Sequence, residues 1–188
     1  FAPEEEVYRD DNYSDAGGET RQRVVVATEK TITQLGVDSS STRLAKPGDI
    51  LIASAGQGST RGQTSFCDVD TYINQSVVAL RSENSAWLFC NLSRRYSEMR
   101  GLSDSHSIRG SLTTKLLGGM SVVVPTAPLM AAFECVARPL LSAEAQGERT
   151  ARTLSALRDT LLPRLISGKL RLHEAEAVVA DTLDTACT

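Results

Sequence analysis

The chain has 188 residues, 41% of them hydrophobic and 23% charged, which suits one domain of ordinary size with a buried core and room for one appended element. Aromatic residues make up only 5%, which disfavours stacking on single-stranded nucleic acid, and a net charge of −3 argues against binding DNA by the overall field while leaving room for a locally basic face. No apolar run approaches the ~20 residues of a membrane span. Cys67, Cys90, Cys135 and Cys187 form no Cys-x-x-Cys pair and have no histidine at ligand spacing, so we expect reduced thiols in a cytoplasmic protein and no metal site.

Residues 1–23 are polar and acidic, with Glu4-Glu5-Glu6, Asp10-Asp11 and Asp15, and predict loop with at most a short strand. Val24-Val25-Val26-Ala27 reads as a buried strand. Pro47-Gly48 is a turn that launches a second strand, Asp49 to Ser54. Gly56 to Gln63 is a polar loop. Thr64 to Cys67 and Tyr72 to Leu80 are further strands, rich in residues that suit a pleated surface. These strands follow one another without helical crossovers, which predicts an α+β fold with a mixed or antiparallel sheet.

The period changes at Ala86 to Tyr96, which predicts a helix. A polar loop follows over Ser103 to Ser111, then a short helix over Leu112 to Leu117, closed by Gly118-Gly119. Met120 to Val124 reads as a strand ending at Pro125. A helix starts at Pro128, breaks or restarts at Pro139, and then runs long to Pro163, with Ser167-Gly168 as its stop. Leu154, Leu157, Leu161 and Leu165 form a narrow apolar seam on it, of the kind that packs against another helix. Lys169 to Leu172 is extended, and an alanine-rich last helix follows. The natural division is a globular domain over 1–138, a long helix over 139–168 and a tail over 169–188.

Two loops carry groups suited to DNA. In the glycine-rich loop, Gln57 and Gln63 can pair with an adenine edge, Arg61 adds charge, and Ser59 and Thr60 can meet phosphates. That loop lacks the Gly-Lys-Ser/Thr ending of a nucleotide-binding P-loop and is followed by a strand, so the helix-dipole phosphate site is missing. In the second, Ser111, Thr113 and Lys115 suit phosphates, Arg109 suits a guanine edge, and His106 lies among them. Against this stands the plain alternative of solvated loops, with Arg94, Arg95 and Arg100 as the wet face of their helix. His106 and His173 are the only histidines and neither sits in a nucleophile motif, so no catalytic residue is assigned.

Leu157-Arg158-Asp159-Thr160-Leu161-Leu162-Pro163-Arg164-Leu165-Ile166-Ser167-Gly168 resembles the conserved helix of specificity subunits from type I restriction-modification systems. Upstream, in the family's order, Ile32 to Val37, Ser40 to Leu44 and Pro47 to Ser54 resemble the strand-turn-strand of a target recognition domain. Asn74-Gln75 resembles its recurring strand start, and Ser121 to Leu129, Phe133 and Arg138 to Leu141 resemble the junction with the helix. The likeness covers residues from about 24 to 170.

The resemblance implies a non-catalytic subunit that reads one half-site of a bipartite double-stranded DNA target. It implies partners: a methyltransferase subunit carrying S-adenosylmethionine, a restriction subunit, and a second recognition domain or a second copy met through the long helix. The chain itself would hold no cofactor. The family's usual subunit has two recognition domains and two conserved helices, and this sequence, which opens at Phe1, has one of each. We therefore expect either the C-terminal half of such a subunit or a half-sized version that dimerises. A protein-interaction adaptor with a helical arm is the alternative from another class, and a stand-alone nuclease or methyltransferase the third.

Overall fold

A strand with no polar alternation is stable only where both faces are covered. In the computed structural model β3 (Ile50–Ala53), the strand launched by Pro47-Gly48, is buried along its whole length. It lies inside a four-stranded sheet with β1 (Val24–Val25), β4 (Thr64–Cys67) and β6 (Val77–Leu80), in the order β1-β4-β3-β6. β1 runs parallel to β4 and the other neighbours are antiparallel, so the sheet is mixed. A separate antiparallel pair joins β2 (Arg43–Ala45) to β5 (Thr71–Ile73). With its helices the chain is α+β, as expected. The structure describes residues 22–28, 31–56, 59–106 and 111–186, with His106 and residues 183–186 described by backbone alone. The expectation for the acidic segment 1–21 lies outside them.

Side-chain alternation sorts the core into two layers. Val24, Phe66, Ile50 and Leu80 are register partners in a row across the sheet. With Val26 and Ile52 they face α2 (Ser85–Ser93), α3 (Tyr96–His106) and α4 (Thr114–Gly118), which supply Phe89, Leu92, Met99 and Leu117. Phe66 meets Phe89 edge to face at 5.7 Å, a favoured aromatic geometry. Val25, Leu51 and Cys67 point to the other face, where Ala45, Ile73 and Val77 cover them. Burial there pushes the Cys67 thiol up to about 11, which leaves it unreactive at neutral pH.

The turn before β3 is tightly specified. Gly48 has φ +92°, which glycine adopts without strain. The buried Asp49 carboxylate accepts from the Lys46 N–H at 2.8 Å and from Arg81 Nε and Nη2, each at 2.7 Å. Burial alone would raise this carboxyl, but the bonds from Arg81 and Lys46 and their charges outweigh it and hold it below its ordinary value.

Four expectations are corrected. The strand over Tyr72 to Leu80 is two strands in different sheets, because Asn74 Oδ1 accepts from the Ser76 N–H at 2.9 Å and turns the chain between them. Met120 to Val124 forms no strand: its three valines are exposed and pair with no edge among the described residues, and propensity alone does not make a ladder. Ser103 to His106 is the end of α3 and not loop, with Ser103 fully buried one turn after Met99. Neither Pro139 nor Pro163 ends the long helix α5 (Ala127–Ile166). Each proline removes one helical hydrogen bond, but buried Met130 and Leu141 lie on either side of Pro139, and buried Leu161 stands just before Pro163. A short helix the sequence reading did not mark, α1 (Gln34–Asp38), is capped by the Thr33 hydroxyl, which accepts from the Gly36 N–H.

The chain divides into two compact units, Phe1–Ala145 and Gln146–Thr188. In the first, Leu141 and Ala145 of α5 are buried in the helix-side core. Glu134 ties this helix down. Its carboxylate accepts from the Ala86 N–H at 3.3 Å and the Trp87 N–H at 2.7 Å, both in the first turn of α2, and pairs with Arg138 at 3.2 Å. A helix start leaves such N–H groups without internal partners, and an anion there is favoured. In the second unit α5 ends at Gly168, φ +69°, where the Lys169 and Leu170 N–H groups both donate to the Arg164 carbonyl. The last helix, α6 (Leu172–Ala186), follows.

Glu134→Ala should lower the unfolding free energy by about 2 kcal/mol, the cost of leaving two N–H groups without an acceptor. Urea denaturation of the variant and of Arg138→Ala checks this; the second change keeps the carboxylate and should cost less than half as much.

Candidate nucleic-acid interface

The two candidate loops, far apart in sequence, are joined by the fold. The β3–β4 loop closes on itself through Gly62 N–H to Ala53 O at 2.8 Å and Gln63 N–H to Thr60 O at 3.0 Å. Gly62 has φ +84° and lies against Met99 and Tyr96 of α3, so a side chain there would be strained. Tyr96 donates its phenol proton to the Ser59 carbonyl at 2.9 Å. The Leu112 N–H donates to the Ser54 carbonyl at 2.8 Å, which brings the segment carrying Ser111, Thr113 and Lys115 to the base of the same loop.

Within this arrangement the expected DNA contacts divide. Thr60 and Arg61 are buried. The Arg61 guanidinium reaches across to Asp104 on α3, and Arg100 lies 3.6 Å from the same carboxylate. Arg61 therefore holds the loop against the helix. Thr113 accepts from the Leu116 N–H at 3.3 Å and caps α4. Ser59, Ser111 and Lys115 are exposed. Ser111, Thr113 and Lys115 line a cleft of about 710 Å³ together with Leu102, Leu116 and Met120. Gln63 is half-buried and lines a different cavity, of about 420 Å³, with Thr64, Tyr96 and Arg23. Gln57 and Arg109 lie outside the described residues, as does the side chain of His106. Of the arginines read as a wet helix face, Arg95 forms a bidentate pair with Glu98, at 2.7 Å for each bond, and Arg94 is exposed.

Sequence reasoning missed Arg23, Tyr96 and Asp104. Arg23 sits 5.0 Å above the Phe89 ring and pairs with Glu144 at 3.0 Å; a partner 121 positions away leaves no local signal. Among the described residues no group of three or more His, Cys, Asp or Glu side chains could hold a metal ion, and no helix is long and apolar enough to cross a membrane.

In the second unit Leu161 is buried, Leu157 and Leu165 are half-buried, and Leu154 is exposed. Val179 of α6 lines an apolar cleft of about 320 Å³ together with Leu154, Leu157, Leu161 and Leu165. The chain's own last helix thus lies along part of the seam. No protein-family model and no curated protein matches the chain.

Arg61→Lys keeps the charge but not the planar fork. It should cost about 1–2 kcal/mol of stability, because a buried donor loses its geometry. Asp104→Asn should cost less, since that side chain is 54% exposed. Chemical denaturation checks both; a neutral Arg61→Lys would mean that the guanidinium does not hold the loop.

Proposed function

We propose that this chain is a DNA sequence-reading module of a type I restriction-modification specificity subunit, acting in the cytoplasm. The observation that carries the reading is the order of its parts: an α+β unit with joined polar loops, followed directly by a long helix that ends in Leu-Leu-Pro…Ser-Gly. On this reading the globular unit reads one half-site of a bipartite target in double-stranded DNA. The methyltransferase subunit, which brings S-adenosylmethionine, and the restriction subunit assemble on the chain, which contributes no catalytic group.

The long helix would set the spacing to a second recognition domain or a second copy. Leu129, Phe133, Val136 and Leu140 recur at the 4-3-4 spacing of a coiled-coil seam and are 62%, 39%, 65% and 65% exposed. Leu154, Leu157 and Leu161 fall in the same heptad phase. The exposed stripe equally supports the second reading, a protein-interaction adaptor that binds no DNA.

Binding selection from a random DNA library, with the chain assembled on its methyltransferase subunit, separates the two. A defined sequence preference is the expected result, and no preference among sequences would sink the recognition reading. Arg109→Ala should change the preferred bases. Lys115→Ala should weaken binding to all sequences alike and reduce the salt slope by about one unit.

If the stripe pairs helices, light scattering at high protein concentration should show a mass moving toward twice that of the chain. Val136→Glu combined with Leu140→Glu should abolish the increase. A wild-type mass that stays monomeric at every concentration would count against the spacer.

A further inference from the structure

β6 is the last strand in the order β1-β4-β3-β6 and pairs only with β3 among the described residues. Which of its backbone groups face outward follows from β3. The Ala53 N–H donates to the Gln63 carbonyl on the β4 side at 3.0 Å, and the Ser54 N–H donates to the Ser76 carbonyl, just before β6, at 2.8 Å. Antiparallel bonding alternates residue by residue. Ile52, the register partner of Val78, therefore bonds toward β6, and Leu51, the register partner of Ala79, bonds toward β4. The Ala79 N–H and carbonyl point away from the sheet, and neither has a backbone partner among the described residues. Val77-Val78-Ala79-Leu80 also holds no proline or charge of the kind that guards an edge.

A groove of about 520 Å³ touches Val77, Val78 and Ala79 in succession. Neighbouring side chains stand on opposite faces of a strand: Val77 and Ala79 pack in the layer of Ile73, and Val78 in the helix-side layer. A groove that reaches all three runs along the edge itself. The small sheet forms one wall. Arg43 lies two residues before the buried Ala45 and directly opposite Ile73, so it points to the same face as both, the face that covers the large sheet. Arg43 lines the groove, is exposed, and forms no ion pair among the described residues. Asp49, the groove's one carboxylate, is already held by two bonds from Arg81 at 2.7 Å.

We propose that this edge takes an extended peptide strand from another protein, one that carries aliphatic side chains and a carboxylate. Main-chain bonds to Ala79 would supply affinity, and the side chains of the added strand would supply selectivity. An aliphatic residue meets the apolar edge, and the carboxylate meets Arg43. A nucleic-acid backbone would use Arg43 but leave the edge amide and the apolar wall unused. A second copy pairing through β6 would bring another Arg43 and no free carboxylate.

The test is a titration of the full chain, read by NMR as hydrogen exchange of the Ala79 amide. The probes are acetyl-Ser-Val-Ile-Val-Glu-Ser-amide, the same peptide N-methylated at every residue, the version with lysine for glutamate, and a short DNA duplex. The parent peptide should slow Ala79 exchange by about tenfold or more at saturation. The N-methylated peptide, which has no edge donors, should bind about tenfold more weakly or worse, and the lysine peptide about threefold or more. Ala79→Pro removes the outward donor without touching the ladder to β3 and should abolish binding with circular dichroism unchanged. Should that variant fail to fold, Arg43→Glu still decides: it should reverse the preference between the glutamate and lysine peptides. No protection of Ala79 at millimolar peptide, or equal binding of the N-methylated peptide, overturns strand addition. An unchanged preference in Arg43→Glu overturns the acidic partner. Protection by the duplex and not by the peptide identifies nucleic acid instead. Protection that grows with protein concentration and no peptide present identifies a second copy, and either result overturns the proposal.

Discussion

The first unit depends on one carboxylate. Glu134 stands on α5, yet the N–H groups it accepts from open α2, 47 and 48 positions earlier in the chain. The first turn of α2 gains these acceptors only when α5 is docked. α2 in turn brings Phe89 and Leu92 to the sheet, and α5 brings Leu141 and Ala145 to the same core. Arg138 extends the link by donating to both Glu134 and the Glu83 carbonyl. The docked half of α5 is thus part of the domain's folding unit, and that unit includes Leu141 and Ala145, which the sequence division at 138 assigns to the appended helix.

What was legible in the sequence was whatever a local signal dictates. Pro47-Gly48 and the apolar run after it gave the turn and β3, and Thr64 to Cys67 gave β4. Gly168 marked the end of the long helix. Two of the misses needed a partner distant in the chain, while the break between β5 and β6 rests on the local Asn74–Ser76 bond. Val122 to Val124 have strand propensity but no edge to join. Pro139 is a helix breaker locally, but contacts at Met130 and Leu141 on either side carry the helix through it. A proline costs roughly 3 kcal/mol in a helix interior, and burying two such side chains contributes a comparable amount.

The candidate interface shows the same division. Residue type identified the two polar loops. That they share one place follows from the Leu112–Ser54 hydrogen bond and the Arg61–Asp104 pair, which no spacing reveals. Arg61 also shows how a residue type misleads: an arginine in a glycine-rich loop reads as a phosphate contact, but this one is buried and tied to α3. Its contribution to any interface is to fix the loop's shape. Among the described residues, the exposed groups that remain, Ser59, Ser111, Thr113 and Lys115, carry a single charge. That agrees with the net charge of −3 in suggesting that affinity for DNA would have to come partly from a partner.

The first half of α5 is apolar on two sides. Met130, Ala137 and Leu141 face the domain, while Leu129, Phe133, Val136 and Leu140 stay exposed. A helix apolar on more than one side is usually covered on each. Completing the burial of those four side chains would contribute roughly 4–6 kcal/mol. Association costs an estimated 4–15 kcal/mol in lost rigid-body freedom, so the stripe alone supports at most a weak pair. Because Glu134 already holds this half of the helix in place, pairing need not also order it. A durable spacer on the proposed reading must therefore draw on surface beyond the stripe. A second recognition half linked in the same polypeptide would reduce the loss of rigid-body freedom, and an assembled methyltransferase subunit would add contact area.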